Sequence, residues 1–132
     1  MTTRAAVLLV DDERVVLDSL RLQIRRMCGD ELTIECAGGA AEAWEVLDEL
    51  KGEGVTIVLV MSDWLMPVTR GDAFLEEVKL RFPETKRVML TGQADEQAIR
   101  RVRERGLADL LLLKPWSSHD LVAMMRLISP GT

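Results

Sequence analysis

Apolar residues recur along this chain in two alternating rhythms. Residues 5–10 form a solid apolar run that stops at Asp11-Asp12. From Glu13 the spacing stretches, and Leu17, Leu20, Ile24 and Met27 fall on one face of a helix that Gly29-Asp30 ends. Residues 33–37 alternate polar and apolar positions, as a strand with one wet face does. Gly38-Gly39 leads into a second helical stripe of Ala40, Ala43, Trp44, Leu47 and Leu50, and Gly52-Glu53-Gly54 closes it. Residues 55–61 are the most apolar run of all. Pro67 marks the stretch from Asp63 to Gly71 as loop, since proline fits neither a helix interior nor a central strand. Asp72 is expected to N-cap a third helix, with Leu75, Val78 and Phe82 inward and Pro83 as its stop. Residues 88–90 read as a fourth strand closed by Thr91-Gly92, and residues 94–105 as a fourth helix ended by Gly106. A fifth strand, 110–113, breaks at Lys114-Pro115. A last helix, 119–128, turns Leu121, Met125 and Ile128 inward, capped by Ser117 or Ser118 and ended by Ser129-Pro130-Gly131.

This βα alternation predicts parallel strands joined by helical crossovers, an α/β fold with both faces of the sheet covered. Runs 5–10 and 55–61 are apolar on both faces and belong in the centre; the alternating run 33–37 belongs at an edge. Numbering strands along the chain, the order 2-1-3-4-5 satisfies this. The expected architecture is a doubly wound five-stranded parallel sheet, a flavodoxin-like (βα)5 arrangement whose switch point lies between strands 1 and 3. No repeat, low-complexity tract or linker interrupts the pattern. Residues 1–132 read as one domain with a core from about 5 to 128, leaving no room for a separate DNA-binding or catalytic output domain.

Composition narrows the class. With 48% hydrophobic and 30% charged residues, the chain can bury a core and is not a disordered segment. Seventeen Lys and Arg against 22 Asp and Glu give a net charge of −5, which argues against unaided binding to nucleic-acid phosphates. The apolar runs fall far short of the ~18 residues a membrane span needs, and no signal-peptide pattern opens the chain. Cys28 and Cys36 form no CxxC pair and are expected to be reduced thiols of a cytoplasmic protein.

Chemistry enters at the strand ends. Parallel strands finish on one edge of the sheet, where ligands bind at the switch point. Strand 1 ends in Asp11-Asp12, strand 3 in Asp63, strand 4 in Thr91 and strand 5 in Lys114, whereas strand 2 ends in small residues. Carboxylates a few ångströms apart repel by about 1–4 kcal/mol per pair at surface-like dielectric, so such a cluster needs a cation. All-oxygen ligands favour Mg²⁺ or Mn²⁺ over zinc, which would want His or Cys. A hard cation beside an aspartate, a lysine and a threonine is the equipment of phosphoryl transfer.

Over essentially its full length the chain resembles the receiver domains of two-component response regulators. The resemblance rests on Val7-Leu8-Leu9-Val10-Asp11-Asp12-Glu13, on Ser62-Asp63-Trp64-Leu65-Met66-Pro67 with Gly71 eight residues beyond Asp63, and on Thr91-Gly92 and Lys114-Pro115-Trp116. It implies that Asp63 accepts a phosphoryl group from a phosphohistidine of a histidine kinase or phosphotransfer protein. It implies an Mg²⁺ (or Mn²⁺) ion held by Asp12, by Asp11 mainly through water, by Asp63 and by the backbone carbonyl of Leu65. Lys114 would pair first with Asp63 and then with a phosphoryl oxygen, Thr91 would hydrogen-bond the phosphoryl group, and Pro115 would follow a cis peptide bond. A signalling module of this kind is not an enzyme beyond its own phosphorylation and dephosphorylation. Its expected partners, besides the phosphodonor, are a second copy or an output domain meeting a surface around helix 4, with neither nucleic acid nor membrane contacted directly. The Asp63–Pro67 and Lys114–Trp116 wording is similar to receivers attached to cyclic-dinucleotide or kinase outputs.

Two departures from the family pattern matter. Leu111 stands where the family usually has the Phe or Tyr that swings inward with the threonine, so the aromatic switch is absent. Leu65 and Gln93, each two residues past a site residue, border the path of the hydrolytic water. Two rivals are weighed. A Mg²⁺-dependent aspartyl phosphatase would need a second aspartate at Leu65, and a phosphorylation-independent scaffold would have lost an acid, the threonine or the lysine. Elsewhere, His119 is read as solvated and Trp44 as core. Trp64 is read as a gate or as partly exposed, and the arginine run 100–105 as a solvated face or a docking surface.

Overall fold

The computed structural model describes residues 4–92 and 96–128. Gln93, the expected helix start at Ala94 and the helix-ending Ser129-Pro130-Gly131 lie outside the described residues. Strands β1 (Ala5–Val10), β2 (Thr33–Ala37), β3 (Thr56–Asp63), β4 (Lys86–Thr91) and β5 (Leu110–Leu113) alternate with helices α1 (Arg14–Cys28), α2 (Ala40–Gly52), α3 (Gly71–Arg81), α4 (Glu96–Arg105) and α5 (Ser118–Arg126). All strand pairs are parallel and the order is β2-β1-β3-β4-β5, as the pattern of apolar runs predicts.

The sheet divides the core in two, and β1 shows why its sequence is continuously apolar. Ala6, Leu8 and Val10 face a layer shared with α2, α3 and α4, while Val7 and Leu9 face the layer shared with α1 and α5. A register shift opposite Ala6 and Val7 makes Val58 an extra residue of β3, so Ile57 and Val60 meet the first layer and Leu59 and Met61 the second. α1 buries Leu17, Leu20 and Ile24, but Met27 is exposed and the half-buried Cys28 completes the stripe. In α5 the buried pair is Leu121 and Met124, with Met125 and Ile128 half-buried on the same layer. Ser117 caps α5, its hydroxyl accepting from the Asp120 amide at 3.1 Å while the Asp120 carboxylate accepts from the Ser117 amide at 2.8 Å.

Two strands run longer than expected, and both extensions matter. β3 continues to Asp63, so the candidate phosphoacceptor is a strand residue held by the sheet. β4 begins at Lys86 because the buried Arg87 satisfies its charge on distant carbonyls. α3 begins at Gly71, ahead of the expected cap at Asp72, which instead lies buried in its first turn. Gly71 permits this: a Cβ there would overlap the Asp63 carbonyl oxygen and lie 3.1 Å from Trp64 Cα. Among the described residues, no helix is long and apolar enough to cross a membrane.

Candidate functional site

The carboxyl edge of the sheet gathers the candidates into one cleft. Asp12, Glu13, Asp63, Leu65, Thr91, Gly92 and Lys114 line a depression of about 280 Å³. Asp11, Asp12 and Asp63 each place a carboxylate oxygen within 4.8 Å of the others'. Asp11 and Asp63 are buried at the ends of the two central strands, while Asp12 is exposed on the turn into α1. The Glu13 amide donates to Asp11 Oδ1 at 2.8 Å, fixing that carboxylate across the turn.

Lys114 reaches in from the end of β5, after which the peptide bond to Pro115 is cis. Its Nζ lies 3.0 Å from Asp11 Oδ2, 3.3 Å from Glu13 Oε1 and 3.4 Å from Asp63 Oδ1. One ammonium is thus shared by three carboxylates. The contact to Asp11 is an ion pair without hydrogen-bond alignment, and Asp11 Oδ2 is a buried oxygen without a hydrogen bond.

The electrostatics record this shortage of positive charge. Burial, then the neighbouring Asp11 charge, push the Asp63 carboxyl up from the usual 3.8 to about 6, against the pull of Lys114. Burial likewise raises Asp11. Burial alone would lower Lys114, yet the carboxylates of Asp11 and Asp63 together push it up. The site behaves as one cation short. Its ligand atoms are all oxygens, three carboxylates lie within 4.8 Å of one another and Asp11 Oδ2 among them has no hydrogen bond, so these residues fit a hard divalent ion such as Mg²⁺.

Residues 7–126 match the response regulator receiver domain family. This chain belongs to that family. Over 124 residues it is 35% identical to HoxA, a hydrogenase transcriptional regulatory protein of Cupriavidus necator, which covers 93% of this chain and 24% of that protein. It is also 32% identical over 123 residues to the sensor kinase CckA of Brucella abortus, covering 92% of this chain and 12% of the kinase. The chain therefore spans a quarter or less of the length of these curated relatives. Among solved structures, the signal receiver domain of an HD domain-containing protein from Pseudomonas fluorescens Pf-5 superposes with a TM-score of 0.81 at 27% identity, covering 96% of this chain and 94% of that one.

Within the receiver fold, the residues expected from the motifs, Asp11, Asp12, Asp63, Leu65, Thr91 and Lys114, do lie together. Thr91 is buried at the end of β4, and the Lys114 amide donates to its carbonyl at 2.7 Å. Leu65 is 64% exposed at the lip of the cleft. Leu111 is half-buried against the layer that holds α3 and α4. Trp64 is neither a gate nor partly exposed: its ring is buried in that same layer, with the Arg70 guanidinium 5.0 Å from its centroid. Trp44 is half-buried, edge-on to Phe74 at 5.3 Å and under the Arg81 guanidinium at 4.3 Å. His119 is exposed, as expected. The arginine run is split. Arg100 and Arg103 face solvent, whereas Arg101 and Arg105 pair with Asp72 and Glu76 of α3. The motif reading included Glu13 but gave it no role; its carboxylate accepts from Lys114, 101 positions away.

Proposed function

We propose that this receiver domain accepts a phosphoryl group on Asp63 from the phosphohistidine of a histidine kinase or phosphotransfer protein. The observation that carries the reading is the Lys114 ammonium shared between the buried Asp63 and Asp11 carboxylates at the sheet's carboxyl edge. Asp63 sits at a strand end, where the sheet aims its carboxylate oxygen at an incoming phosphorus. That oxygen forms the new bond to phosphorus while the bond to the donor imidazole breaks, the electron pair leaving with the imidazole nitrogen. Lys114 shifts from the Asp63 carboxylate to a phosphoryl oxygen, and the Thr91 hydroxyl donates to another. Asp11, Asp12, Asp63 and the Leu65 carbonyl would hold Mg²⁺ or Mn²⁺, which supplies positive charge to the phosphoryl oxygens. Residues 1–132 act as one receiver domain of a cytoplasmic regulator and perform no chemistry on other substrates. The modified site is read by a second copy or an output domain at the surface around α4, where Arg100 and Arg103 are exposed.

Intact-mass measurement after incubation with Mg²⁺ and a small phosphodonor tests this. One phosphoryl group is expected on the wild-type chain, and none on Asp63→Asn or in excess chelator. Equal uptake by Asp63→Asn would overturn the assignment.

A further inference from the structure

Asp11, Asp63 and Asp72 are the buried carboxylates among the described residues, and Asp72 alone stands outside the acidic cluster. It is 4% exposed in the first turn of α3. Two guanidinium groups neutralise it. Arg70 donates from Nε and Nη2 at 3.2 and 3.1 Å, and Arg101 of α4 donates from Nη1 at 3.1 Å. One buried carboxylate thus ties the β3–α3 loop to α4.

The loop end of this tie rests on the phosphoacceptor. Arg70 lies over the ring of Trp64, the residue after Asp63, and the Gly71 amide donates to the Trp64 carbonyl at 2.9 Å. Gly71 packs so closely on the Asp63 carbonyl that no side chain fits between them. A shift of the Asp63 main chain is therefore handed to the first turn of α3 without slack.

At the other end α4 is lightly anchored. Its buried side chains are Ala98 and Val102, small for a helix of 10 residues. The partner pair Arg105–Glu76, at 3.3 Å, is half-exposed and screened. Arg101 and Asp72 differ, because Asp72 is buried: parting them takes away one of its two guanidinium partners and leaves the carboxylate on Arg70 alone.

We propose that Asp72 is a latch that holds α4 against α3 in the resting state and yields Arg101 when Asp63 is phosphorylated. The inference rests on the assignment of Asp63 above. Asp72, Arg70 and Arg101 are positioning residues that take no part in the chemistry. The latch would couple the site to α4 in a chain whose residue 111 is a leucine without a ring to rotate.

The test uses the whole chain with Mg²⁺ and beryllofluoride as the phosphoryl mimic. In the wild type the mimic should speed amide exchange across residues 96–105 by about fivefold or more. Arg101→Met should show that faster exchange without the mimic, with no further gain on adding it. Coupling is reciprocal, so the same variant should bind the mimic more tightly by the same factor. Arg101→Lys, which keeps the charge, should retain the wild-type response. Arg70→Met, which leaves Arg101 on Asp72 but removes the lever, should keep α4 at its resting rate with and without the mimic. A wild-type response and unchanged mimic affinity in both methionine variants would reduce the contact to a structural tie and overturn the latch. Intact-mass measurement on parallel samples, given Mg²⁺ and a small phosphodonor in place of beryllofluoride, separates the two readings. No phosphoryl uptake by the wild type rejects the Asp63 assignment, whereas uptake with unaltered coupling rejects only the latch.

Discussion

The two edges of this sheet bury charge in opposite ways. At the amino edge the buried polar residues among those described, Arg87 and Thr85, are both answered. Arg87 donates from Nε to the Leu107 carbonyl at 2.8 Å and from Nη2 to the Gly106 carbonyl at 3.4 Å. Its amide donates to Asp109 Oδ2 at 2.8 Å and its carbonyl accepts from the Asp109 amide at 2.7 Å, while the Thr85 hydroxyl donates to the Ile57 carbonyl at 2.7 Å. At the carboxyl edge Lys114 is divided among three carboxylates and Asp11 Oδ2 goes without a hydrogen bond. Buried charge that is fully answered fastens a fold; buried charge left short reserves a place for something to arrive.

The sharpest way to break this contrast is at the satisfied edge. Arg87→Met should lower stability by about 2–4 kcal/mol, because bonds from a charged group vanish and buried carbonyls lose their donor. Urea unfolding in chelator measures it, and a loss under about 0.5 kcal/mol would show that the amino edge is not what holds β4 to the turn after α4.

The opposite sign is expected across the sheet. Asp63→Asn should raise stability in chelator above pH 7 by about 1–3 kcal/mol, since it removes a buried charge that is short of partners. The pH profile sharpens this. Folded Asp63 keeps its proton up to about pH 6, whereas the unfolded carboxyl releases it near 3.8. Between those values the folded chain binds more protons, so wild-type stability falls as pH rises, by about 1 kcal/mol per unit at most from this group. The asparagine variant should lack that part of the slope. A destabilised variant, or an unchanged slope, would mean that the carboxyl edge is not strained.

The smallest effect concerns the same edge. Val68, fully exposed on the β3–α3 loop, has φ of 71°, a left-handed conformation that a β-branched residue adopts at a cost. Asparagine tolerates that region, so Val68→Asn should gain about 0.5–1 kcal/mol in the same unfolding assay. A loss of stability would place the strain elsewhere.

The strand order and the members of the cleft were legible because the apolar runs and strand-end residues are local features. What escaped the local pattern depended on distant contacts. Lys86 and Arg87 look unlike strand residues until carbonyls 106 and 107 accept from the buried guanidinium. Asp72 has the profile of a helix cap, and it is Arg70 together with Arg101, 29 residues away, that makes it a buried counter-ion. Glu13 reads as the start of α1 until Lys114 arrives beside it. Trp64 stands in a loop segment beside a charged strand end, but the closeness of α3 to β3 turns its ring into the core.

That closeness also sets what mutation can reach. Position 71 admits no side chain while the Asp63 carbonyl stands where a Cβ would go. The seven residues between them therefore form a span of fixed length, pinned at both ends. Substitutions at exposed positions within it, such as Leu65, Pro67 and Val68, are free to accumulate. An inserted or deleted residue would unseat α3 from the strand end and disturb Asp63 in the same event. Lineages of this domain should thus diversify the lip of the cleft by exchange of side chains, with its length held constant.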